Sequence, residues 1–171
     1  MNELLITMNY IREPMGCTVT WELSDVTQYK SVMVMRFAQS IQDFIKMVKK
    51  LDSFKTLCGD DRLSLIKYGC VENLCMRSLQ YYDLTHEYWT LYAGNDSSIL
   101  LKTEFFATCE PSLLNPYKNY FSKIGPEWDS DHNIIDLLSY CLIQIGRPLS
   151  IGMSLNWSSD FTCTYFTDTY T

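Results

Sequence analysis

The sequence predicts a mostly α-helical domain with one small β-hairpin, on three observations. Ile41, Phe44, Ile45, Val48 and Leu51 recur at spacings of three and four, which lays one apolar stripe along a helix. After a corner at Cys58-Gly59-Asp60, helical periodicity resumes with Leu63, Ile66, Cys70, Leu74 and Cys75, apolar on nearly every side, as in a helix sandwiched by others. Only seven Gly and five Pro interrupt 171 residues. The exception is Tyr88-Trp89-Thr90-Leu91-Tyr92 followed by Gly94-Asn95-Asp96, an aromatic and β-branched run ending in turn residues.

In chain order, residues 1–13 read as a short amphipathic helix closed by Pro14 and Gly16. Residues 17–27 are mixed, with Trp21 and Leu23 expected to pack beneath a loop. One long helix is predicted from Thr27 to Leu51, and two further helical pieces across 60–82, where Asp60 and Asp61 suit the positive end of a helix dipole. After the hairpin come short helices over Lys102–Cys109 and Leu113–Ile124, broken by Pro111 and by Gly125-Pro126. Ser130 is the expected cap of a last helix reaching Ile145, apolar almost all round and so expected to be buried. From residue 150 the chain alternates Ser and Thr with aromatics and carries no Lys or Arg, an atypical tail.

Hydrophobic residues at 47% and aromatics at 14% describe a chain that folds around a core. A net charge of -6 argues against DNA contact by this chain, since a nucleic-acid module presents a basic face. No apolar run has the length of a membrane span, and the first residues do not read as a cleavable signal peptide. Seven Cys without a C-x-x-C pair suit reduced thiols better than disulfides or zinc. His86 and His132 stand far apart with no ligand spacing around them, so no metal site and no cofactor are expected. The Gly152–Ser154 region lacks the second glycine of a nucleophile elbow, and no phosphate-cradling glycine loop occurs. Nothing here argues for an enzyme. Ile134-x-x-Leu137-Leu138 mimics a receptor-interaction box but is expected to be core.

Two charges stand out within the apolar helix after the corner. Glu72 and Arg77 each need a partner, because an unpaired buried charge costs several kcal/mol. For Arg77 the protein partners that the sequence offers are Asp43 or Glu72.

The stretch Ser40–Ser78 resembles the signature of nuclear-receptor ligand-binding domains: Phe54-Lys55-x-Leu57, then Asp60-Asp61-Arg62, then Leu65-Ile66-Lys67, with Arg62 where the family usually has Gln. Phe121–Leu149 resembles a later core helix of the family with its closing Arg147-Pro148. Met76-Arg77-Ser78, followed by Trp89, is similar to the vitamin D and pregnane X receptors and to the related arthropod hormone receptors that sense sterols and foreign compounds.

The resemblance implies a layered helical sandwich over residues 1–149 around an apolar cavity for a small lipophilic ligand. It places Ser40 and Arg77 where vitamin D receptors hold a ligand hydroxyl, Trp89 where an indole stacks on the ligand, and Leu74 and Val71 on the lining. Lys49 and Lys67 match the lysines that rim the groove for a coactivator or corepressor peptide, and Glu72 the acid that pairs with the arginine of the Arg-Pro turn, here Arg147. The family's last helices, with their dimer surface and activation helix, have no counterpart after Leu149. The chain is therefore expected to be a C-terminally truncated domain of a nuclear, ligand-regulated transcription factor whose parent pairs with a partner receptor. The alternative is a helical interaction scaffold or non-activating decoy without a ligand. Cavity volume beside Ser40, Leu74 and Trp89 separates the two.

Overall fold

A computed structural model describes residues 7–145, with side chains as far as Ile143. Its spine is helix α1, Val26–Val48, capped by Asp25, whose carboxylate accepts from the Gln28 amide at 2.8 Å. The predicted helix was three residues longer at its end. The chain turns there instead, with the Lys50 and Leu51 amides bonding back to Met47 and Val48, and Leu51 is fully buried beyond the turn.

Two short helices follow, α2 (Asp52–Thr56) and α3 (Gly59–Ser64). The Cys58 sulfur accepts from the Asp61 amide and caps α3 as the corner residues suggest, with Asp60 and Asp61 in the first turn. The chain then runs without a break through one π-type stretch, Leu65–Gly69, into α4 (Cys70–Arg77), and tightens to a 3₁₀ turn over Ser78–Tyr81. Helix α4 packs against both α1 and the last helix, α7 (His132–Ile145), which is the central placement its composition requires.

The hairpin forms as predicted but belongs to a larger sheet. Strands β1 (Thr18–Glu22), β2 (Tyr82–Asp83), β3 (Tyr88–Gly94) and β4 (Ser97–Lys102) lie in the order β1-β4-β3-β2. Asn95 and Asp96 both take positive φ in the β3–β4 turn, the conformation whose twist matches the strands it joins. The segment read as irregular is β1. It pairs parallel to β4, so Trp21 lies 40% exposed on an edge strand, and only Leu23, just past the strand, is buried. Trp89 opposite Leu101 and Leu91 opposite Ile99 give the sheet its buried face.

Helices α5 (Thr103–Cys109) and α6 (Pro111–Ile124) complete the packing, with Pro111 at the first turn of α6 where a missing N–H is harmless. Three expectations need correction. The cap of α7 is Asp131, whose carboxylate accepts from the Asn133 amide, while Ser130 is held at φ 68 before it. Helix α7 buries only one face: Ile135, Asp136, Ser139 and Leu142 point inward, while Ile134, Leu137 and Leu138 point out, Leu137 50% exposed. The Ile134-x-x-Leu137-Leu138 run is thus surface, because the described chain places no element over it. Of the helix expected at residues 1–13, Thr7 and Met8 are helical and a turn follows. Residues 1–6 lie outside the described part, as do Arg147 and the tail from residue 150.

Candidate functional site

Between the first half of α1, helix α4 and the sheet lies a cavity of about 900 Å³. Its apolar wall comes from Val32, Met33, Leu74, Trp89, Leu91, Ile99, Leu101 and Phe106. Trp89 is held by ring contacts with Tyr82 at 4.6 Å, Phe106 at 5.1 Å and Tyr117 at 5.7 Å between centroids, so its indole is fixed in orientation. One lip is the segment Tyr10–Pro14, which crosses the cavity beside α1. A volume of this size, mostly apolar with a few polar groups, is what a small-molecule site requires.

Two of the polar lining residues, Arg77 and Arg12, share one carboxylate. Asp136 of α7 is 4% exposed and accepts from Nη1 of Arg77 at 2.6 Å and from Nε of Arg12 at 2.7 Å, with a further contact to Arg12 Nη2. Arg77 Nη1 also approaches the Ser139 hydroxyl at 3.4 Å. The partner of Arg77 is therefore neither Asp43 nor Glu72, the two that the sequence offered. Asp43 instead accepts from Gln39 and Lys46 on its own helix, as residues four and three apart do. A buried Arg–carboxylate pair of this geometry offsets much of the desolvation of both charges.

A second pair ties the lip to α1. Arg36 donates to both oxygens of Glu13 at 2.9 Å, and its other nitrogen donates to the Tyr92 carbonyl at 2.6 Å. The Glu13 amide adds a long bond to the Tyr81 hydroxyl, whose proton is held more tightly than usual, chiefly by burial. Segment 10–14 is thus pinned at Arg12 and at Glu13, on the two sides of the opening.

Of the residues singled out from sequence, Ser40, Leu74, Arg77 and Trp89 all line this cavity. Val71 does not. Six positions before Arg77, it lies about a third of a turn round α4 from the face carrying Asn73, Leu74 and Arg77, at roughly 100° per residue. Lys49 and Lys67 are exposed, and near them in sequence Phe44, Met47, Val48, Leu51, Phe54 and Leu65 form a separate buried cluster. Lys49 caps α1, and Lys67 lies over the Tyr68 ring at 5.5 Å. Glu72 is half-buried on α4, and its expected partner Arg147 falls outside the described residues.

Sequence reasoning missed Asp136, Arg12, Arg36, Glu13 and Asn73. For Asp136 a signal existed: a lone carboxylate inside a run of apolar residues needs a buried partner by the same argument applied to Arg77. Among the described residues no group of His, Cys, Asp and Glu could hold a metal ion, and no helix is long and apolar enough to cross a membrane.

No family model matches the chain. Over 98 residues, 57% of its length, it is 29% identical to the nuclear hormone receptor HR96 of Drosophila melanogaster. That match spans 14% of the receptor's own length. The chain thus has a partial relationship to a nuclear hormone receptor, and its mostly helical fold with a small sheet is compatible with a ligand-binding domain of that class.

Proposed function

We propose that this chain is part of the ligand-binding domain of a nuclear hormone receptor, a ligand-regulated transcription factor that acts in the nucleus and not an enzyme. Residues 1–149 make up the domain. Its subgroup is that of the vitamin D and pregnane X receptors and their arthropod relatives, and its ligand is a small lipophilic molecule of the sterol or xenobiotic class. The observation that carries this reading is the cavity of about 900 Å³ flanked by Ser40, Leu74, Arg77 and Trp89. Close packing at that place would instead favour the interaction scaffold.

Within this reading Ser40 and the free side of Arg77 are polar anchors, and Trp89 is a flat apolar wall for a ring system. Lys49 and Lys67 rim a groove for a coactivator or corepressor peptide, where a lysine interacts favourably with the negative C-terminal end of an incoming Leu-x-x-Leu-Leu helix. The ligand stabilises the packed state and so favours that surface. The parent receptor pairs with a second receptor.

Native mass spectrometry of the chain purified from cells tests this directly. A co-purified lipid-sized molecule is expected, and it should be lost from Trp89→Ala, which removes the cavity's aromatic wall. A chain that folds cooperatively and carries no small molecule after incubation with a sterol panel would overturn the ligand reading and leave the scaffold.

A further inference from the structure

Met8 is buried in the dry cluster around Phe44 and Leu23 in the core beneath the sheet, and no residue between them is buried. Strand β1 fixes the later part of this stretch to β4, which leaves residues 9–16 as a strap. Apart from the packing of Ile11 against the dry cluster, the strap is held by polar contacts: Arg12 on Asp136 and Asn133, Glu13 on Arg36, and the long bond from the Glu13 amide to Tyr81. Gly16, at φ 73 and with open space where a Cβ would stand, is a hinge where the strap meets β1. The exposed residues of the cavity lining lie on the strap (Tyr10, Arg12, Pro14), on α1 (Met35, Gln39) and on the sheet (Trp21, Ala93), with none on α4. The mouth is therefore where the strap runs.

The groups that hold the strap do not depend on it. Without Arg12, Asp136 keeps Arg77 at 2.6 Å, and without Glu13, Arg36 keeps the Tyr92 carbonyl at 2.6 Å. The side chains that leave are 40% exposed at Arg12 and 26% at Glu13, so both reach water as the strap lifts. Lifting exchanges two partly exposed ion pairs for solvated charges and orphans no buried charge, so its cost stays modest.

We propose that residues 9–16 are a gate over the cavity, latched by Glu13 on Arg36 and by Arg12 on Asp136, beneath which a small molecule enters and leaves. The inference rests on the reading that the cavity takes a small molecule. The latch pairs protein with protein whether the cavity is filled or empty, so it sets the rates of exchange and not the affinity. Salt screens partly exposed pairs, so exchange quickens with ionic strength.

Nile red, uncharged and fluorescent in apolar surroundings, reads entry by stopped flow and release by dilution into excess phosphatidylcholine vesicles. In Glu13→Ala both rates should rise about fivefold, as loss of one latching pair implies, with affinity changed less than about twofold. In the unaltered chain both should rise about threefold between about 0.02 M and 0.5 M sodium chloride, a result that does not depend on any variant's folding. Lys55→Ala, which breaks an exposed pair on α2 outside the cavity lining, should change neither rate. Nile red exchanging at rates indifferent to salt and to Glu13→Ala would overturn the gate and leave the ligand reading intact. Faster release with unchanged entry would also overturn it, making the strap a wall of the site. Failure of Nile red and of the sterol panel to bind at all would remove the ligand reading itself.

Discussion

The two halves of α1 share one helical stripe and meet different fates. In its second half Phe44, Met47 and Val48 are wholly buried in a dry cluster with Leu51, Phe54, Leu65 and Cys70. In its first half Met33 and Phe37 are only half-buried, and they face a cavity. The difference lies across the interface rather than in the helix. The second half meets the successive helical segments between Asp52 and Cys70, which share its dry cluster. The first half meets the sheet, whose Trp89 and Leu91 are held off by the packing of Trp89 against Phe106 and Tyr117. Periodicity in a sequence tells which face of a helix is apolar, but not whether a side chain or an open volume lies opposite.

The sharpest way to break this comparison is to cut one side chain from each half. Phe44→Ala leaves a void in close-packed surroundings and should cost about 3–5 kcal/mol. Met33→Ala removes a side chain that already borders open space, and its cost should stay below about 1 kcal/mol, because little packing is lost. Urea unfolding of both variants checks this. Equal losses would mean that the first half is as tightly packed as the second.

Two arginines of the cavity wall, Arg77 and Arg12, are held by charge, through their shared partner Asp136. Asp136→Asn leaves Arg77 buried without its counter-charge, and should destabilise by about 3 kcal/mol. Replacing both partners together, Asp136→Leu with Arg77→Leu, should recover most of that loss, since no buried uncompensated charge then remains and Arg12, 40% exposed, can be solvated. Arg77→Leu alone should also cost stability, because it leaves the buried Asp136 with only the half-exposed Arg12. An Asp136→Asn variant as stable as the parent would show that the ion pair contributes nothing net, and that the cavity's polar end stands on its apolar surroundings.

How far the sequence carried depends on where each residue's partner lies. The long helix, the corner at Cys58-Gly59-Asp60 and the β3–β4 hairpin were legible, because their signals are local: spacing, a cap, two turn residues. Strand β1 was not, because Thr18-Val19-Thr20-Trp21-Glu22 pairs parallel with a strand far along the chain and buries no side chain of its own. The need of Arg77 for a partner was legible, and the partner's identity was not, because Asp136 comes from a helix read as apolar almost all round. Hydropathy likewise placed Ile134, Leu137 and Leu138 inside, since it records what a residue prefers and not which neighbours reach it.

The smallest expected effect concerns the buried cysteines, of which Cys70 lies within the dry cluster. Burial pushes the Cys70 and Cys75 thiols up to about 12, with Tyr117 donating to the Cys75 sulfur at 3.4 Å. Cys58 and Cys141 are exposed. Only a thiolate alkylates, so brief iodoacetamide treatment of the folded chain should label Cys58 and Cys141 and spare Cys70 and Cys75 until denaturant is added. The same burial has a pH consequence. Both thiols are raised in the folded state, so their contribution to stability is complete below the ordinary thiol value of 9.0 and declines as pH rises from there toward 12. Urea midpoints should fall over that range, and less so in a Cys70→Ala/Cys75→Ala variant. Rapid labelling of Cys70 in the folded chain would mean that the cluster around Phe44 opens readily, and the contrast between the two halves of α1 would then be one of shape and not of stability.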